Sequence, residues 1–236
     1  MKINDAAVLT QAGSLRPFNE DGVRAWERTG LWAVSDGMGS TREDQTASDL
    51  ALDVLNKTWP LSGFDPTVAL LAAHDAFMGA LPADQPDLAS SLVLVHAPPD
   101  DNLLQLAWIG DCRGYVLDAG ALSLRTRDHT KIQEWVDEGL VDAASVRSHP
   151  YRNILTQALG VLQEEPLQVG SWATRVATPK RVLLCSDGLS DFLEEDLLRS
   201  LLGDRSCQEA ANALASAAIE AGSGDDMSIV ILDVAP

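Results

Sequence analysis

The sequence predicts an α+β fold: two antiparallel sheets stacked face to face, with helices outside. Three observations carry this expectation. Short apolar runs rich in Val, Leu, Ile and Trp recur along the 236 residues. Connections such as "APPDD" (97–101) and "DAG" (118–120) are too short for a parallel crossover, so the neighbours they join pair antiparallel. The longer stretches between runs carry the 3.6-residue apolar period of helices, which would cover the outer faces of the sheets.

In chain order, "LWAVS" (31–35) is the first predicted strand. Residues 43–57 form a helix, because Ala47, Leu50, Ala51, Val54 and Leu55 share one stripe. Residues 66–80 form a second, more evenly apolar helix. "SLVLVHA" (91–97), "LLQLAWI" (103–109) and "GYVLD" (114–118) are strands, and 131–139 is a short helix. "RVLLCS" (181–186) is a strand and 191–202 a short helix. Residues 207–220 form a helix striped by Ala211, Leu214, Ala215, Ala218 and Ile219, and "MSIVILDV" (227–234) is the last strand. The proline-rich stretches at 59–66, 81–87 and 97–101 are loops rather than linkers.

A net charge of −18 argues against nucleic acid or an anionic membrane as partner, since both need Lys/Arg patches. No apolar run approaches the ~20 residues of a membrane span, and no signal peptide is evident at the amino terminus. Three scattered cysteines in apolar context, Cys112, Cys185 and Cys207, suit a reducing cytoplasm better than a disulfide framework. The four histidines have no zinc spacing.

Carboxylates gather where strands end. "LWAVS" runs into Asp36, "LAWI" into Gly110-Asp111, and "RVLLCS" into Asp187, while Asp225 and Asp226 immediately precede the last strand. In an antiparallel arrangement such exits and starts share a rim. Each Asp alone also reads as turn or helix-cap chemistry. Together they repel one another, and a divalent cation relieves that repulsion; an all-oxygen set suits Mg²⁺ or Mn²⁺. "GSLRPFNED" (13–21) adds Arg16, a side chain shaped for phosphate that also has a surface ion pair with Glu20 or Asp21 open to it.

"GSLRPFNED", "VSDGMGS", "SSLVLV", "WIGDCRGYVLD", "RDHT", "HPYRNILTQALG", "LLCSDGLSD" and "GSGDDMSIVIL" follow one another from about residue 10 to 234. In this order they resemble the metal-dependent PP2C-type protein serine/threonine phosphatases, specifically the short bacterial branch, over essentially the whole chain. The resemblance implies one domain over residues 1–236, an antiparallel β-sandwich flanked by helices on both outer faces, with a flap at about 130–153. It implies hydrolysis of phosphoserine and phosphothreonine in proteins by in-line attack of a hydroxide bridging two Mn²⁺ or Mg²⁺ ions, opposing a bacterial Ser/Thr kinase. By the same resemblance Asp36 bridges the two ions with the Gly37 carbonyl on one of them, and Asp187 and Asp225 hold the other. Asp111 helps bind a third, weaker ion with Asp187. Glu20 and Asp21 orient metal-bound water, and Arg16 grips the phosphoryl group, which makes Arg16, Asp36 and Asp187 the catalytic set. A cytoplasmic monomer acting on phosphorylated proteins is expected.

Some residues depart from the family pattern. Met38 stands where the eukaryotic branch has a proposed general acid His, as is common in bacterial members, so the proton donor is unassigned. Ser40 replaces a usual Gly, Cys112 a usual Ser, and Asp226 and Ser228 a usual Asn and Thr, leaving open which of Asp225 and Asp226 coordinates; motif order favours Asp225. The chain has no Cys-x5-Arg, Asp-x-Asp, Gly-x-Ser-x-Gly or P-loop signature, which removes the other phosphatase chemistries. A phosphoprotein-binding pseudophosphatase and a small-phosphoester hydrolase are the alternatives.

Overall fold

The computed structural model describes residues 1–161 and 167–236. Ten strands form two five-stranded sheets. In the first, the order is β1 (Lys2–Gln11), β10 (Met227–Ala235), β9 (Lys180–Cys185), β6 (Arg113–Asp118) and β7 (Ala121–Leu124). In the second it is β2 (Asp21–Trp26), β3 (Leu31–Met38), β4 (Ala89–His96), β5 (Leu103–Ile109) and β8 (Gly170–Arg175). Every pairing is antiparallel.

The central strands are apolar on both faces because they are covered on both. On β3, Trp32 and Val34 enter the core between the sheets, with Val93, Leu106, Leu184, Val230 and Leu232. Their neighbours Leu31 and Ala33 face helix α1 (Ala47–Thr58) and helix α2 (Pro66–Ala80), beside Leu55, Leu70 and Phe77. On β10, Ile229 and Ile231 turn outward to α5 (Glu195–Leu202) and α6 (Cys207–Glu220), with Leu198, Ala211 and Leu214. The predicted sandwich with helices on both outer faces is the observed one, in four layers.

Helix boundaries follow capping chemistry. α1 starts at Ala47, later than the predicted 43, because the Thr46 side chain accepts from the Asp49 N–H. α6 has a capping box between Ser206 and Glu209. Of the stretch predicted as a helix over 191–202, Glu195–Leu202 forms α5, and a separate single turn, α4 (Asp187–Ser190), precedes it, while 131–139 forms α3 (Lys131–Asp137). Strands β1, β2, β7 and β8 were not expected from the sequence. Among the described residues, no helix is long and apolar enough to cross a membrane.

Candidate active site

Antiparallel pairing brings the ends of β3, β5 and β9 to one pole, together with the starts of β2 and β10. Asp21 pairs directly with Asp36 across β2 and β3. Ser186, just past β9, donates its N–H to the Ser228 carbonyl on β10. The result is a cavity of about 190 Å³ lined by Arg16, Asp21, Asp36, Gly37, Met38, Asp111, Asn153, Leu155, Asp187, Asp225 and Asp226. A larger cleft of about 520 Å³ lies around Lys180 and Arg181, whose charges are already met by Asp118 and Asp233.

Local geometry explains each position. A Cβ on Gly37 would stand 2.7 Å from the Glu20 carbonyl oxygen and 2.9 Å from the Ser48 nitrogen, so only glycine lets the start of α1 press on this strand. Gly110 has φ +91°, and the space of its missing Cβ is filled by the Ser91 hydroxyl. That hydroxyl donates to Asp111 Oδ1 at 2.7 Å. Ser186 donates to Asp21 Oδ2 at 2.6 Å and accepts from the Ser228 N–H. Ser90 donates to the Asp36 carbonyl. On the opposite side, Asn153 donates to Asp187 Oδ2 at 3.5 Å.

Burial chiefly pushes the carboxyls upward. Asp21 rises to about 7, with the Ser186 and Ser228 hydrogen bonds opposing the shift. Asp111 rises to about 6, restrained by Ser91. Asp36 is held well above the usual range by burial and then by the charges of Asp21 and Asp187; Asp187 follows through burial, Asp111 and Asp191. The cavity is therefore short of positive charge. Arg16, with its side chain 45% exposed, ion-pairs with Glu20 and lies 3.9 Å from Asp225. Cys112 is buried behind the cluster, and burial raises its thiol well above the ordinary value, the opposite of an activated nucleophile.

The chain has known relatives in both sequence and fold. The serine/threonine protein phosphatase PstP of Mycobacterium tuberculosis is 34% identical over 97% of this chain and 44% of its own length. The serine/threonine phosphatase stp of Listeria welshimeri is 28% identical, over 97% of this chain and 95% of its own. The crystal structure of the catalytic domain of PstP in complex with two manganese ions is 30% identical, covers 98% of both chains and superposes with a TM-score of 0.79. The chain belongs to the bacterial PP2C-type serine/threonine phosphatases. It spans less than half the length of the M. tuberculosis relative, and no protein-family model matches it.

Within this PP2C-type fold, seven of the eight site residues expected from the sequence line one cavity: Arg16, Asp21, Asp36, Gly37, Asp111, Asp187 and Asp225. Glu20 is the exception. Its carboxylate turns toward Arg16 and the Ser40 N–H instead. The supporting serines, Ser90, Ser91 and Ser186, carried no assigned role in the sequence; only Ser186 bore a visible signal, standing before Asp187-Gly188 as Ser35 stands before Asp36-Gly37. Asn153 was seen only as the end of a flap, and Leu155 only within the motif "HPYRNILTQALG". A second acidic group, Asp5, Cys207 and Asp233, has ligand atoms within 4.8 Å of one another. There Asp5 accepts from the Cys207 N–H and Asp233 holds Arg181 through two bonds, so its charge is met within the fold.

Proposed function

We propose that this chain hydrolyses phosphoserine and phosphothreonine in proteins, using two divalent cations held by Asp36, the Gly37 carbonyl, Asp187 and Asp225. The observation that carries the reading is the meeting of aspartates from five separate segments, around residues 21, 36, 111, 187 and 225, with Arg16 at a single cavity. Crowded carboxyls without nitrogen or sulfur donors fit a hard cation, Mn²⁺ or Mg²⁺, and the likeness to manganese-bound PstP supports manganese. Bound there, the cations supply Lewis acidity, a water of lowered pKa and the positive potential a phosphate needs.

The chain's own residues do the rest. Arg16, steadied by Glu20, directs its guanidinium at the phosphoryl oxygens and neutralises charge as it redistributes during in-line displacement. Asp21, held by Ser186 opposite Asp36, accepts a hydrogen bond from the attacking water and orients it. Met38 has no proton to give, so the leaving alkoxide is protonated by water in the cavity. A third ion is proposed beside Asp111 and Asp187. In support, a chamber of about 20 Å³ there is also lined by Asp191, Asn153 and Ser190, the three arginines on its wall, Arg113, Arg147 and Arg152, are paired with Asp128, Glu194 and Asp191, and the buried Ser190 hydroxyl has no hydrogen-bond partner.

The single domain carries a flap over about 130–153, clasped by Arg147 on Glu194 and the Leu193 carbonyl and by Arg152 on Asp191. Its substrates are products of a bacterial Ser/Thr kinase, and its three buried free thiols suit a reducing cytoplasm. The test is phosphate release from a phosphothreonine peptide with Mn²⁺, with Mg²⁺ and with EDTA, beside Asp187→Asn. Metal-dependent turnover lost with EDTA and in the variant is expected; tight peptide binding without turnover in any metal refutes the hydrolase.

A further inference from the structure

Two loops separated by almost the whole chain are riveted together at the site. Residues 13–20 carry Arg16, and residues 224–226 carry Asp225. The Gly13 N–H donates to Asp226 Oδ1 at 2.8 Å and the Glu20 N–H to Asp226 Oδ2 at 2.7 Å. A single carboxylate, in a residue only 4% exposed, thus spans both ends of the arginine loop. Between those ends, the Ser14 and Leu15 N–H groups both donate to the Gly224 carbonyl, at 2.8 and 3.0 Å. No side chain fits at residue 13, where a Cβ would lie 2.3 Å from that carbonyl oxygen.

The two amides approach different oxygens of one head group, one on each side. A carboxylate supplies both acceptors, whereas the asparagine usual at this place offers one acceptor and one donor, and its NH₂ would meet an N–H head-on. On the phosphatase reading given above, we infer that Asp226 is a positioning residue: it clips the Arg16 loop to the start of β10 and leaves cation binding to Asp225. Phosphate grip and metal seat then share one mechanical support, and the departure from asparagine is what makes the support rigid in this chain.

The experiment is Asp226→Asn in the full chain, with Mn²⁺ stoichiometry by calorimetry, inhibition by inorganic phosphate, peptide kinetics and Tm measured together. Mn²⁺ number and affinity are expected to match the parent protein. The inhibition constant for phosphate and the KM for phosphopeptide are expected to rise about tenfold, the scale of one lost charge-assisted hydrogen bond, with kcat changed by less than about threefold. Asp226→Ser, which removes the two-oxygen clip without adding atoms against the Asp225 backbone, is expected to give the same signature and decides the matter alone if Asp226→Asn does not fold. Loss of a manganese ion in Asp226→Asn overturns the inference, because Asp226 is then a ligand. Unchanged phosphate inhibition and KM in the folded variants overturn it too. A parent protein that releases no phosphate with Mn²⁺ sinks the hydrolase reading instead, a result distinct from either.

Discussion

Stripping the cations makes the fold sensitive to pH in a direction unusual for an acidic protein. Asp21 titrates near 7 in the folded chain against 3.8 when unfolded, and burial is the main cause. Below about pH 4 the carboxyl is protonated in both states and costs nothing. As pH rises toward 7 the unfolded chain ionises freely while the folded one resists, so stability falls, and the full cost is reached above 7. About three pKa units correspond to about 4 kcal/mol. For a domain of this size that lowers Tm by on the order of 10 °C. Asp111, raised to about 6, adds to the same slope. The assay is thermal melting in EDTA from pH 5 to 7.5, beside Asp21→Asn, which keeps an acceptor for Ser186 but cannot ionise. The parent protein is expected to melt lower at pH 7.5 than at pH 5, and the variant to show a shallower slope. Saturating Mn²⁺ is expected to remove or reverse the slope, since cations bind the ionised carboxylates and release their protons. A metal-free Tm that rises over this range, or a variant slope equal to the parent's, refutes the reasoning.

Other outcomes follow from single side chains. Arg16→Ala removes the guanidinium from the phosphate and leaves the buried Glu20 carboxylate unpaired; kcat/KM on a phosphothreonine peptide is expected to fall by about 10²-fold, with Mn²⁺ stoichiometry retained. A loss below about threefold would remove Arg16 from the mechanism. Arg113 and Asp128 form a nearly buried bidentate pair beside the flap, so Asp128→Ala is expected to cost about 3–5 kcal/mol by denaturant titration. A cost under about 1 kcal/mol would mean that water already screens the pair.

How much of this was legible depended on burial. Strands covered on both faces, such as "SSLVLVH" in β4, announce themselves as apolar runs. Edge strands do not: β1 reads "KINDAAVLTQ" and β8 "GSWATR", because one face of each meets solvent and the alternation is broken by polar residues. β2 was hidden behind its own Asp-Gly start, and with it the register that sets Asp21 opposite Asp36. The aspartates themselves were readable, since each ends or begins a recognisable run. What holds them was not: Ser91 acts from one strand to its neighbour and Ser186 from one sheet to the other, on partners 20 and 165 residues away, and no local pattern encodes that. Likewise, motif order favoured Asp225 as the ligand but gave Asp226 no task, and its hydrogen bonds to Gly13 and Glu20 are visible only in the fold.

The place of β10 between β1 and β9 bears on how the molecule is made. β1 is made before every other strand of its sheet, yet its sheet partner among the described residues, β10, is made after all of them. Until then the first eleven residues have no strand to pair with, the arginine loop has no anchor at Asp226, and Asp225 does not exist. A nascent chain can therefore assemble much of the second sheet, but not a working phosphate site. The cavity around Arg16 is completed only once β10 is made, and a chain cut short before Asp225 lacks both that carboxylate and the anchor of its arginine loop.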